Sequence, residues 1–410
     1  MRSRRRLIIV AVIVVAALVE AGVAVAIFAG GKSKPETAPT LALPMHPVAG
    51  AFKPNRQKLA DCSSSDEKCI EQAFGNIAYY RGPKAVRPIF DQTYGNGANP
   101  ACHRVAHIIG AASLARFHGN VARTFASGWA DCWSGYYHGV LERALVTNGG
   151  GYDRHSLVKV ARRLCADRKV LSDTWLAYQC LHGLGHGLMI ATGYDLPLAL
   201  RVCSGLQTSW DAEACWGGTF MENFFSSYGF TSRFVKDDDL VYPCDSAFVS
   251  KSQKLPCYQL VTSHVLRVVG VDWDKVAQTC SSVETGYRSA CFQSYGRDVS
   301  GQTQRDPEQI TALCAIARQY GGEQDCVTFA AMDITANFTD GKPAAALCDL
   351  TQGGLRDACY RAIGTIEGRF TSTDAARAAD CRKVSTVAGD VAACTAGATG
   401  KQPAGVVATR

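Results

Sequence analysis

The stretch Cys180-Leu181-His182-Gly183-Leu184-Gly185-His186-Gly187 places a cysteine, two histidines and three glycines within eight residues. In a helix, His182 and His186 stand at i and i+4 on one face, a spacing that lets two imidazoles share a metal ion. The cysteine belongs to a longer series. From Cys165 onward the cysteines fall into seven pairs: Cys165 with Cys180, Cys203 with Cys215, Cys244 with Cys257, Cys280 with Cys291, Cys314 with Cys326, Cys348 with Cys359, and Cys381 with Cys394. The first members recur every 33 to 41 residues, the period of a helical repeat architecture.

The second cysteines share a phrase. An aromatic follows directly at Trp216, Tyr258, Phe292 and Tyr360, and a small residue often stands third after the cysteine, as at Gly183, Gly218, Ser294 and Ala362. Segments before the first cysteines carry apolar residues at helical spacing and often open with Asp or Pro, as at Asp306-Pro307 and Lys342-Pro343. Each unit therefore reads as two antiparallel helices stapled by one disulfide across their closed end. Such a staple contributes about 2 to 4 kcal/mol to a unit too small to hold its own core.

Upstream, Asn120 to Ala126 resembles a first helix without its cysteine, and Cys132-Trp133-Ser134-Gly135-Tyr136-Tyr137-His138 repeats the second-helix phrase. Cys132 is then expected to pair with Cys102, and Cys62 with Cys69. That uses all 18 cysteines. No C-x-x-C and no zinc-finger spacing occurs, so the thiols read as disulfides formed in an oxidising compartment.

Composition agrees with a folded chain: 410 residues, 47% hydrophobic and 19% charged. The formal charge of +7 is a small excess of 43 basic over 36 acidic residues, with Arg2, Arg4, Arg5 and Arg6 in the leader. Neither charge nor motif points to nucleic acid.

The leader sets the expected topology. Residues 1–6 are a basic cytoplasmic start and 7–29 an apolar run broken by Glu20, long enough to span a bilayer as a signal-anchor with the cysteine-rich part outside. Cleavage near Ala24-Val25-Ala26, giving a secreted protein, is the alternative. Residues 30–57 are a Pro-rich linker that includes His46. A His-rich helical part is expected over 58–157, seven cysteine-paired repeats over 158–400, and a tail over 401–410. The fold class is all-α: a transmembrane helix followed by an α-solenoid of disulfide-stapled hairpins.

Three helices carry i, i+4 pairs of potential ligands: His103 with His107, His138 with Glu142, and His182 with His186. Counted from the leading cysteine at 100° per residue, His182, His138, His186 and Glu142 fall between about 200 and 280°, one face of equivalent helices. His103 and His107 fall at about 100 and 140° and join that face only if their helix is rotated. The metal-ligand candidates are thus His103, His107, His138, His182 and His186. Glu142 and Glu222 are the candidate catalytic carboxylates, and Met221 would favour copper if it were a ligand. Imidazole with carboxylate suits zinc, copper or iron.

Gly139 and Gly187 leave room beside the imidazoles or mark a tight helix crossing. His118 and His155 read as turn or surface residues, and His264 as a hydrogen-bonded histidine. Glu222, His264, Asp298 and Asp333, each seven residues after a second cysteine, line either a groove or a solvated face.

The chain so read is a membrane-anchored extracytoplasmic metal-binding repeat protein. If it is catalytic, an open metal position would activate water or dioxygen and a carboxylate would shuttle protons. The alternative is a non-enzymatic scaffold that holds a protein, peptide or glycan along the solenoid face.

Overall fold

The computed structural model describes residues 49–95, 102–147, 154–226 and 231–400. The basic start, the apolar run 7–29, most of the Pro-rich stretch and the tail 401–410 lie outside the described residues. Among the described residues no helix is long and apolar enough to cross a membrane. Helices make up the regular structure there, and the only extended pairing is an isolated bridge between Lys236 and Asp239.

The chain runs through α1 (Glu67–Arg81), α2 (Pro83–Tyr94), α3 (Cys102–Arg116), the short α4 (Val121–Phe125), α5 (Gly135–Thr147), α6 (Arg154–Leu164) and the single turn α7 (Arg168–Leu171). It continues through α8 (Thr174–Ala191), α9 (Leu196–Cys203) and α10 (Ser209–Phe224), then α11 (Lys251–Tyr258), α12 (Thr262–Val269), α13 (Trp273–Ser282) and α14 (Arg288–Gln302). The last hairpins are α15 (Pro307–Ile316) with α16 (Glu323–Phe338), α17 (Lys342–Asp349) with α18 (Gly353–Glu367), and α19 (Asp374–Val384) with α20 (Ala388–Ala398).

Local chemistry fixes the starts. Asp173, Asp195 and Asp306 accept the backbone N–H three residues on, at the heads of α8, α9 and α15. Thr208 and Asp211 form a reciprocal capping box at α10.

All nine disulfides join the expected partners, including Cys62–Cys69 and Cys102–Cys132. No free cysteine remains. This content fits an extracytoplasmic protein.

One unit departs from the two-helix expectation. Residues before Cys244 form turns, not a helix, and the helix after it is split into α11 and α12 at Gln259–Val261. The acidic run Asp237–Asp239 and Pro243 are turn formers, which accounts for the lost first helix.

One helix of each unit stacks on that of the next: α3 on α5, α5 on α8, α8 on α10, and again α14 on α16, α16 on α18, α18 on α20; from α8 on, these are the helices that carry the second cysteines. Two devices set their spacing. Glycines bring backbones into contact: a Cβ at Gly139 would lie 1.9 Å from the His107 carbonyl oxygen, and one at Gly218 1.8 Å from that of His182. Polar side chains then reach back one unit. Glu142 meets His107, Glu222 meets His186, Asp298 accepts from Thr262 at 2.7 Å, and Asp333 accepts from Ser300 at 2.8 Å, over separations of 33 to 36 residues.

The row of Glu222, His264, Asp298 and Asp333 is therefore an internal seam, not a solvated face. His264 is fully buried and bonded to the Lys236 carbonyl at 2.9 Å. His118 and His155 are exposed.

The stack curls until late units touch early ones. The Trp133 amide donates to Asn337 Oδ1 at 3.2 Å, and the Trp175 and Phe370 rings meet edge-on at 5.1 Å. The end of the Pro-rich stretch also belongs to this body: Phe52 is buried, and the Gly50 amide donates to Glu142 Oε1 at 2.7 Å.

Candidate metal centre

Four adjacent helices, α3, α5, α8 and α10, bring all five candidate histidines and both candidate glutamates into one buried cluster. His138 is central. Its ring stacks on His186 at 4.0 Å and lies 5.4 to 5.5 Å from His103, His107 and His182. Two triads result, His103 with His107 and His138, and His138 with His182 and His186; within each, one ligand atom per residue lies within 4.8 Å of the others.

α3 joins although its angular count from the cysteine differs. Cys132 is not in α5; with Trp133 and Ser134 it forms a left-handed turn, φ 52 to 60°, just before the helix. The count from Cys132 therefore misstates the level of His138, while its i, i+4 relation to Glu142 holds. The turn aims the Cys132 carbonyl at His103 Nδ1, 2.7 Å away.

Each anchoring bond determines what the other ring nitrogen offers. A carbonyl only accepts, so His103 Nδ1 donates and its Nε2 carries a lone pair. His107 Nδ1 lies 3.3 Å from Glu142 Oε2, and His186 Nδ1 lies 2.8 Å from Glu222 Oε2. Tyr194 Oη donates to the other oxygen of Glu222. With Nδ1–H given to a carboxylate, Nε2 of His107 and of His186 faces inward as an acceptor.

Two consequences follow. His103 Nε2 and His107 Nε2 stand 3.1 Å apart, both with lone pairs inward. Nitrogen ligands at about 2.0 to 2.1 Å from one ion are separated by about 2.9 Å at a right angle and about 3.4 Å at the tetrahedral angle. The observed spacing lies in that interval. Further, both nitrogens of His138, Nδ1 of His182 and Nε2 of His186 are buried without a hydrogen-bond partner. Each such group costs about 1 to 3 kcal/mol of desolvation.

The local field opposes a proton as the substitute for a cation. Burial, first, and the neighbouring imidazoles, second, push His103, His138, His182 and His186 well below the usual histidine range. The buried Glu71, from α1, is pushed up to about 7 by desolvation against the pull of Arg104.

Glu142 and Glu222 contact imidazole nitrogens, not the inward space. Met221 lines a cavity beside α10. Gly139 and Gly187 serve the tight crossing: a Cβ at Gly187 would lie 2.6 Å from Leu145 Cδ1. Tyr194 was not legible in the spacing, because it sits at φ 60° in the loop after α8 and meets Glu222 only through the fold.

No family model, no curated protein and no solved structure matches this chain.

Proposed function

We propose that the chain is an extracytoplasmic helical-repeat protein, anchored to the membrane by its leader, that holds a transition-metal ion in the cluster around His138. The observation that carries this is the 3.1 Å approach of two acceptor nitrogens, His103 Nε2 and His107 Nε2. A cation between them turns a repulsive contact into shared ligation, and His138 supplies the third nitrogen. His182 and His186 extend the donor set through the shared His138.

All-imidazole ligation suits zinc, copper or iron. Three protein nitrogens leave a position for water or dioxygen, which is how the site would work if it is catalytic. Glu142 and Glu222 would then act through His107 and His186, as positioning residues that fix the tautomer and hold a proton one step from the ion.

Copper(II) titration of the oxidised protein followed by electron paramagnetic resonance tests the ligand set. Nitrogen hyperfine structure that disappears in a His103→Ala, His107→Ala double variant supports the reading; an unchanged spectrum in that variant overturns it. The scaffold alternative draws on a different observation, the cavity that Met221 lines together with Trp175, Tyr178 and Trp210.

A further inference from the structure

Beside the histidine cluster, α8, α10, α16 and α18, with residues 256–260 and Arg297 of α14, line a half-open cavity of about 210 Å³, the size for a small molecule and not for a folded segment. Its walls are apolar and aromatic: Trp175 and Tyr178 from α8, Trp210 from α10, and Phe329, Met332 and Ile366 from the facing late units. His182 also lines it, so the cavity reaches the second histidine triad.

Four charged side chains face this cavity, and two of them are neutralised inside the fold. Arg297 is bonded to Asp298 at 2.6 Å, and Asp333 accepts from Ser300 at 2.8 Å and lies 3.8 Å from Arg305. Arg369 and Glu213 are not neutralised. Both are half-buried, and neither side chain makes an ion pair or hydrogen bond among the described residues. Arg369 instead lays its guanidinium over the Tyr178 ring at 5.7 Å. Tyr178 in turn stacks on His182 at 5.5 Å, so the guanidinium sits one ring away from the cluster.

A desolvated guanidinium without a carboxylate is costly, and its planar fork matches a ligand carboxylate in two parallel bonds. An unpaired glutamate facing the same cavity complements an ammonium. Aromatic walls between them receive an apolar body. The two charges make no ion pair with each other, and a ligand that carries both signs can satisfy both.

We infer that this cavity binds a small zwitterion with an apolar side chain, of the aromatic amino-acid class, with its carboxylate on Arg369, its ammonium on Glu213 and its side chain against Trp175 and Tyr178. Its role as the molecule presented to the metal centre rests on the proposed metal site; its binding does not.

Calorimetric titration of the full-length oxidised protein with L-phenylalanine, 3-phenylpropionate and phenethylamine, metal-free and metal-loaded, tests this. Phenylalanine binds most tightly, and Arg369→Met weakens it roughly tenfold to a hundredfold. Arg369→Lys restores part of the loss. Glu213→Gln weakens phenylalanine and leaves phenylpropionate unchanged. Because the selectivity among the three probes is read on the unaltered chain, it decides the matter even if a variant does not fold. No phenylalanine binding, equal binding of phenylpropionate, or preference for phenethylamine overturns the inference. Metal uptake without phenylalanine binding defeats the cavity alone. Phenylalanine binding without metal uptake defeats the metal centre alone.

Discussion

His186 Nδ1 and Glu222 Oε2 are 2.8 Å apart, and both side chains are buried. The same reach from one stacked helix to the one before it recurs at Glu142 with His107, at Asp298 with Thr262 and at Asp333 with Ser300. The clamp is thus a property of the repeat. In the early units the group held by the carboxylate is an imidazole, which donates its Nδ1–H, and the clamp then decides which ring nitrogen faces the cluster.

Glu222→Gln removes the carboxylate that fixes His186 while keeping the shape of the side chain. Metal affinity is expected to fall about 10- to 100-fold, read by competition with a chelator. Asp298→Asn, at the same repeat position but away from the histidines, leaves metal affinity unchanged.

Gly139→Ala and Gly218→Ala each place a methyl group within 2 Å of a neighbouring carbonyl oxygen. Each is expected to cost about 1 to 3 kcal/mol or more in denaturant unfolding. Gly389→Ala, where a Cβ would meet nothing within 4 Å, is neutral or gains up to about 1 kcal/mol from helix propensity.

The histidine cluster also sets a pH dependence in the metal-free protein. Burial holds His103, His138, His182 and His186 well below 6.5, so the folded state stays unprotonated where the unfolded chain takes up protons. Their contribution is complete above about 6.5 and is lost as pH falls below it. Glu71 and Glu367, raised to about 7 by burial, act in the opposite sense: their contribution is complete below 4.5 and lost as pH rises through 7. A comparison with His138→Leu cancels the glutamates. The stability of the wild type relative to this variant should decline as pH is lowered from 7 to 5. A constant difference would show that His138 does not resist protonation.

The disulfides divide by role. Removing Cys102 and Cys132 together, or Cys381 and Cys394 together, by serine substitution is expected to cost about 2 to 4 kcal/mol each. Only the first pair positions the carbonyl that holds His103. Only that variant should lose metal affinity in the chelator assay.

Much of this architecture is legible in the sequence because it repeats. Cysteine spacing of 11 to 15 residues within a unit fits only a local hairpin staple, and the seven such pairs form as read. The histidine cluster is legible for the same reason, since equivalent helices at equivalent levels converge. Three features are not. The turn at Cys132 to Ser134 uses left-handed residues that are not glycine, and no local pattern announces it. Tyr194 meets Glu222 from a loop. Arg369 reaches Tyr178 only because the superhelix closes on itself, over a separation that no repeat period encodes.

The central claim is tested most directly by metal content. The full-length protein, oxidised and helical by circular dichroism, is exposed in turn to zinc, copper and iron, freed of loose ions and analysed for metal per chain. The cluster around His138 predicts about one equivalent or more of one of these ions, lost on His103→Ala with His138→Ala while the disulfides and helix content are retained. Folded, fully oxidised protein that retains none of the three ions would contradict it.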